Sequence, residues 1–241
     1  MSPGSGHVHA SGAVIAGGGE PCWRALALHG MRINGRIVRH LLRDVRQALG
    51  ERLDWSFIDA PNPATGPPLG QVGRLWPREP YFEWWNALEQ PDGSVSYRGV
   101  EATLVHMRRV LAEQGPFDVL VGYSQGAALA AVLTALAEGA HRSGSGVPSP
   151  TWRLVLLFNS GPPPRDRKLE RLFEGAPLRT RSVHVHGGPG DPGYEEQKRM
   201  VDLWSADTRQ VYEHGQGHVP PSLRASPGIM AALSAAVVRA L

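Results

Sequence analysis

The chain has 241 residues, 41% of them apolar and 20% charged, and a formal net charge of +3. That length buries one substantial core, and no stretch approaches the roughly twenty apolar residues that cross a membrane. One cysteine, Cys22, excludes an internal disulfide and a multi-cysteine zinc site, and points to a reducing, cytoplasmic setting.

Residues 1–22 are rich in Gly, Ser, Ala and His. They lack the basic start and hydrophobic run of a secretory signal and read as a flexible tail, leaving 23–241 as one α/β domain. Trp23 to Leu28 (WRALAL) reads as the first core strand, running into His29-Gly30-Met31. That is a βα loop at the carboxyl edge, where open α/β sheets bind ligands. His29 is read there as shaping the loop rather than as a base. A helix over 35–49 follows, and Arg32, Arg36, Arg39, Arg43 and Arg46 form a basic stripe along it. Without interleaved aromatics the stripe reads as a solvated face, not a nucleic-acid surface. Docking an acidic acyl carrier protein is its alternative use.

A second strand at 55–58 ends in Asp59-Ala60-Pro61. Residues 61–99 then hold seven prolines together with Trp76, Tyr81, Phe82, Trp84 and Trp85. The stretch is too long for a plain connection and too aromatic for disorder. It reads as a cap whose rings wall a pocket for an apolar or aromatic acyl group. The competing reading is that the rings pack the cap onto the sheet.

Residues 100–114 predict an amphipathic helix with Leu104, Met107, Val110 and Leu111 on one face, ended by Gly115-Pro116. An apolar run at 119–121 then leads through Gly122-Tyr123-Ser124-Gln125-Gly126 into an Ala-rich helix over 125–138. Strand, Gly-x-Ser-x-Gly corner and helix form a nucleophile elbow. Residues 141–150 read as a linker, and 152–158 (WRLVLLF) as a strand covered on both sides. A short charged helix is expected at 165–173 and a strand at 182–186 that leads to Gly187-Gly188-Pro189-Gly190-Asp191. A helix at 194–204, a strand at 210–212, the loop carrying His214 and His218, and a closing helix at 228–241 complete the chain. Strands alternating with helices imply a doubly wound, mostly parallel sheet.

In order, the chain offers Ser124, Asp191 and His218, each after a predicted strand, which is the order of an α/β-hydrolase triad. A hydroxyl is a poor nucleophile at neutral pH, so His218 would take its proton and later protonate the leaving group. Asp191 would orient the imidazole and stabilise its cation. Backbone amides near Met31 and at Gln125 would hold the developing oxyanion. Asp202 and Asp207 are weaker candidates for the acid. A zinc site from His186, Asp191 and His218 is disfavoured because the elbow already employs two of the three. A non-catalytic acyl-binding protein on the same scaffold is the rival reading.

The chain resembles the FSH-type serine hydrolases, an α/β-hydrolase branch related to fungal proteins. The likeness spans about residues 25–221 and includes LHGMRINGRI at 28–37, Asp59-Ala60-Pro61, Trp84-Trp85 and Tyr97-Arg98-Gly99. It continues through Gly115-Pro116-Phe117-Asp118, the elbow, Ser160-Gly161 and Gly217-His218-x-Pro220. The resemblance implies Ser124 as nucleophile, Asp191 as acid, His218 as base, and the amides of Met31 and Gln125 as oxyanion donors. It implies carboxylesterase or thioesterase activity without a cofactor or metal, on medium-chain acyl groups or in polyketide metabolism. The segment before Asp191 is one residue longer than the family pattern, so the loop must bulge there.

Overall fold

The computed structural model describes residues 22–68, 70–142 and 152–240. The expected tail, except Cys22, and most of the expected linker lie outside them. The chain opens with β1 (Trp23–Leu28), α1 (Gly35–Leu41), α2 (Arg43–Leu49) and β2 (Leu53–Ile58). The proline-rich excursion contains β3 (Asn62–Pro63), α3 (Val72–Leu75), β4 (Phe82–Glu83), β5 (Asn86–Glu89) and β6 (Val95–Arg98). Then come α4 (Val100–Gln114), β7 (Val119–Tyr123), α5 (Gln125–Arg142), β8 (Leu154–Phe158) and α6 (Arg167–Glu170). The chain closes with β9 (Arg181–His186), α7 (Tyr194–Val201), β10 (Arg209–Glu213) and α8 (Pro227–Ala240).

Six strands form one sheet in the order β10-β9-β8-β7-β1-β2, with every pairing parallel. Side chains alternate faces along each strand. Leu26, Leu28, Leu120, Val155 and Leu157 pack on one side with residues of α4 and α5. Ala25, Ala27, Val119, Val121, Leu154 and Leu156 pack on the other with α1, α2 and α8. Both faces are dry, which is why β7 and β8 read as unbroken apolar runs and are buried throughout.

The order also locates the functional edge. From β1 the chain steps outward to β2, then returns to place β7 on β1's other side. The loops after β1 and β7 therefore diverge at the switch point, where a crevice opens beyond the carboxyl ends of the strands.

The helix expected over 35–49 is two helices meeting at Leu42, whose φ of −85° and ψ of 12° leave the helical region. The helix after the elbow continues to Arg142, so His141 and Arg142 belong to it rather than to a linker. The helix expected to reach Trp204 ends at Val201. Beyond it the turn tightens, Leu203 N donating to Met200 O at 3.2 Å and Trp204 N to Val201 O at 3.0 Å, and the Trp204 side chain is buried.

Candidate active site

The elbow is built by steric exclusion. Ser124 sits at φ 54°, a left-handed conformation that is strained for any residue with a Cβ. A Cβ on Gly126 would lie 2.2 Å from the Leu28 carbonyl oxygen, and one on Gly122 would lie 2.5 Å from Ala127 Cα. Only glycine lets α5 approach β1 and β7 so closely. The serine backbone is then pinned: its N–H donates to Phe158 O at 3.0 Å, and its carbonyl accepts from Ala127 and Gly161, both at 3.0 Å.

From this corner a chain of hydrogen bonds runs inward. Ser124 Oγ lies 3.0 Å from His218 Nε2, and His218 Nδ1 lies 3.0 Å from both Asp191 oxygens. Exposure falls along the chain, from a His218 side chain 37% exposed to an Asp191 side chain at 0%. Burial alone would raise the Asp191 carboxyl. Donors from Gly193 N (2.8 Å), Gln197 Nε2 (2.6 Å) and Asn159 Nδ2 (3.1 Å), with the neighbouring imidazole, outweigh it and hold the group below its ordinary value. Gly188, in the loop before Asp191, sits at φ 75°, a conformation that glycine permits. Asp202 and Asp207 lie elsewhere, against Arg209 at 3.5 Å and Arg179 at 3.1 Å.

His29 is fully buried and spent on structure. Its Nε2 accepts from Ala60 N at 3.0 Å, so Nδ1 carries the proton and donates to Gly30 O at 2.7 Å. Burial pushes its pKa down to about 4, which keeps it neutral. The loop it shapes lies against the elbow, where a Cβ on Gly30 would meet Ser124 Cβ at 3.1 Å, and Gln125 opens an 18-residue helix.

The cap aromatics divide. Trp84 and Trp85 are 0% and 3% exposed and belong to the core, which corrects their expected place on a pocket wall. Trp84 stacks on His29 with centroids 4.9 Å apart and donates Nε1–H to His29 O at 2.7 Å. Trp85 stacks on Tyr97 at 5.0 Å. The Gln125 side chain bridges them, accepting from Trp84 N at 2.9 Å and donating to Trp85 O at 2.8 Å. Trp76, Tyr81 and Phe82 are half-buried. Trp76 meets His40 edge-on at 5.3 Å, Tyr81 donates its hydroxyl to Trp76 O at 2.5 Å, and the Phe82 backbone pairs with Arg32 and Ile33 at 2.9 Å.

The arginine stripe is shorter than its spacing suggests. Arg36, Arg39 and Arg43 face solvent, whereas Arg46 lies half-buried over the Phe57 ring and Arg32 lies 3.8 Å from buried Glu83. His184 and His186 are both buried, and burial takes His184 down to about 3. Three supporting residues went unassigned in the sequence reading. Tyr123, inside the elbow motif, donates its hydroxyl to His218 O at 2.8 Å. Gln197, six residues after Asp191, and Asn159, beside Ser160-Gly161, both donate to the acid. Only their nearness to motif residues could have marked them. Among the described residues, no cluster of His, Cys, Asp or Glu is arranged to hold a metal ion, and no helix is long and apolar enough to cross a membrane.

The family model described as "Serine hydrolase (FSH1)" matches residues 20–227. The chain belongs to the FSH1 serine hydrolase family. The human protein named Esterase OVCA2 is 34% identical over 83% of this chain and 89% of its own. Thioesterase FSL2 of Gibberella zeae is 27% identical over 86% and 90%. Among solved structures, Zea mays acyl-protein thioesterase 2 superposes with a TM-score of 0.61 at 20% identity, covering 92% of this chain and 97% of that one. This likeness establishes the α/β-hydrolase fold, and the FSH1 chain described here is a serine hydrolase.

Proposed function

We propose that this FSH1 family member hydrolyses carboxylic esters or acyl thioesters through an acyl-enzyme on Ser124. The observation that carries the reading is the unbroken path from Ser124 Oγ through His218 to buried Asp191, each step at 3.0 Å. His218 Nε2 accepts the serine proton as Oγ attacks the acyl carbon, then returns it to the leaving alkoxide or thiolate. The Met31 and Gln125 amides meet the carbonyl oxygen as it gains charge. Water repeats the sequence on the acyl-enzyme, with His218 again as base. No step requires a cofactor.

The acyl group is of medium size and apolar or aromatic, a reading supported by half-buried Trp76, Tyr81 and Phe82 in the cap. The esterase and thioesterase names among the relatives support both leaving-group classes, and secondary metabolism is one setting for such a substrate. An acidic carrier protein presenting the thioester would meet the exposed Arg36, Arg39 and Arg43. The single cysteine suits the cytoplasm, where we assign the reaction.

A panel of p-nitrophenyl esters and acyl-CoA thioesters of graded chain length tests the reading. Wild-type protein should show a chain-length optimum and a mass shift at Ser124 with a fluorophosphonate. Ser124→Ala should lose both, with kcat down about 10⁴-fold or more and melting unchanged. Turnover surviving in Ser124→Ala would end the assignment. Folded wild-type protein that neither labels nor turns over would favour a binding role.

A further inference from the structure

Asn159 stands just beyond β8, fully buried, with its backbone at φ 44°. Its side-chain amide nitrogen has two hydrogens, and both are used. One goes to Asp191 Oδ2 at 3.1 Å, the other to Gly217 O at 2.9 Å. The first acceptor lies on the loop after β9. The second is the carbonyl immediately before His218, on the loop after β10. One side chain on a third strand end thus ties the acid's loop to the base's loop.

The acid needs such a tie. Its loop carries glycines at 187, 188 and 190, and Asp191 N donates to Gly188 O at 2.9 Å, which fixes the backbone turn but not the rotation of the carboxylate. His218 Nδ1 lies equally far from both carboxylate oxygens, so the histidine does not set their rotation. Donors from elsewhere set it: Gly193 N on Oδ1, and Gln197 with Asn159 on Oδ2. The packing there has no slack. A Cβ on Gly187 would lie 2.3 Å from Gly217 O and 2.5 Å from Asp191 Oδ2.

We propose that Asn159 is a positioning residue for the hydrolytic reaction, holding Asp191 and the His218 loop in register across the glycine-rich acid loop. It touches neither substrate nor reacting atoms and acts only through those two residues. The proposal rests on the reading of Ser124, His218 and Asp191 as the catalytic set.

The test measures kcat, KM and the pH profile of kcat/KM for wild type, Asn159→Ala, Asn159→Asp and Ser124→Ala on one p-nitrophenyl ester, with melting curves for each. Asn159→Ala should lower kcat on the order of 10- to 100-fold while KM stays within about twofold. Asn159→Asp nearly preserves shape but sets two carboxyls face to face, where they must share a proton. Its profile should therefore gain an ionisation absent from wild type. A purely structural brace would lower melting temperature and leave that profile unmoved. Wild-type kcat with superimposable profiles would overturn the proposal, as would a rise in KM at constant kcat, which marks a substrate contact. If Asn159→Ala does not fold, the near-isosteric Asn159→Asp decides alone. Activity persisting in Ser124→Ala would remove the catalytic set and this proposal together. An inactive Ser124→Ala beside unaffected Asn159 variants would sink only the role of Asn159.

Discussion

The elbow and the cap meet at Gln125 and are held by different kinds of force. At the elbow, backbone atoms of α5, β1 and β7 approach so closely that no Cβ fits at Gly122 or Gly126. In the cap, the strands are only two to four residues long. Placement there depends on a few side chains reaching backbone groups. Asn62 Nδ2 donates to Trp84 O at 2.9 Å, Trp84 to His29 O at 2.7 Å, and Asn34 Nδ2 to Pro80 O at 2.9 Å. The elbow is therefore rigid by exclusion, and the cap by the burial of Trp84 and Trp85 together with a small number of separable bonds. A lesion at the elbow should spread through the sheet, whereas one in the cap should stay local.

The sharpest way to break the comparison is Gly126→Ala. Its methyl would overlap the Leu28 carbonyl, and α5 can retreat only by separating from the sheet. A loss of several kcal/mol is expected, on the order of 3 or more, read as a large drop in denaturation midpoint or as insoluble protein. Wild-type stability would mean that the elbow is held no more tightly than the cap.

Acid comes next in size and touches both regions, because His29 lies at their junction and His184 lies in the sheet. Burial lowers their pKa values to about 4 and about 3. The unfolded chain protonates them near pH 6.5, so it binds more protons than the folded chain below that value. Their stabilising neutrality is complete above pH 6.5 and is lost as pH falls toward 4. The loss is on the order of 1.4 kcal/mol per histidine per pH unit. Melting temperature should therefore decline across this window, before most carboxylates titrate. A flat curve from pH 7 to 4 would mean the rings do not stay neutral in the fold.

Trp84→Phe isolates the junction. It keeps an aromatic ring against His29 but removes the donor to His29 O, leaving a buried carbonyl short of a partner. A cost of about 1–3 kcal/mol is expected. The elbow should remain intact, so fluorophosphonate labelling of Ser124 should persist, with altered chain-length preference in the ester panel. Loss of labelling in folded protein would show that the cap holds the elbow rather than resting on it.

The smallest effect belongs to the cap's outer ion pair. Arg36 meets Glu79 at 2.6 Å, but the arginine side chain is 80% exposed. Arg36→Ala should change stability by less than about 0.5 kcal/mol in urea denaturation and leave ester turnover unchanged. A larger loss would give that pair a part in holding the cap.

These differences bear on what could be read in advance. The elbow was legible because its signature is local, Gly-x-Ser-x-Gly between an apolar run and an Ala-rich helix, although the contact that excludes a side chain at Gly126 is with the distant Leu28 carbonyl. β1 has the predicted bounds and α4 the predicted length, since apolar period and the Gly115-Pro116 stop are also local signals. The cap was not legible in the same way. Its β5–β6 hairpin is signalled only by Asp92-Gly93 and the brief alternation of Val95-Ser96-Tyr97-Arg98, too short to stand out from the proline-rich stretch before it, and its rings were assigned from composition alone.

Residue type and local spacing determined the family of the chain, the parallel α/β plan, the serine corner and the order of Ser124, Asp191 and His218. Tertiary structure alone decided that Trp84 and Trp85 are core, that Arg32 and Arg46 leave the basic stripe, and that Asn159 and Gln197 grip the acid. The physical reason is range. The contact of Gly122 with Ala127 is settled within five residues. Ser124 meets His218 across 94 positions of sequence, and Asn159 meets Gly217 across 58. No local pattern encodes which buried donor will face which acceptor once the strands are laid side by side.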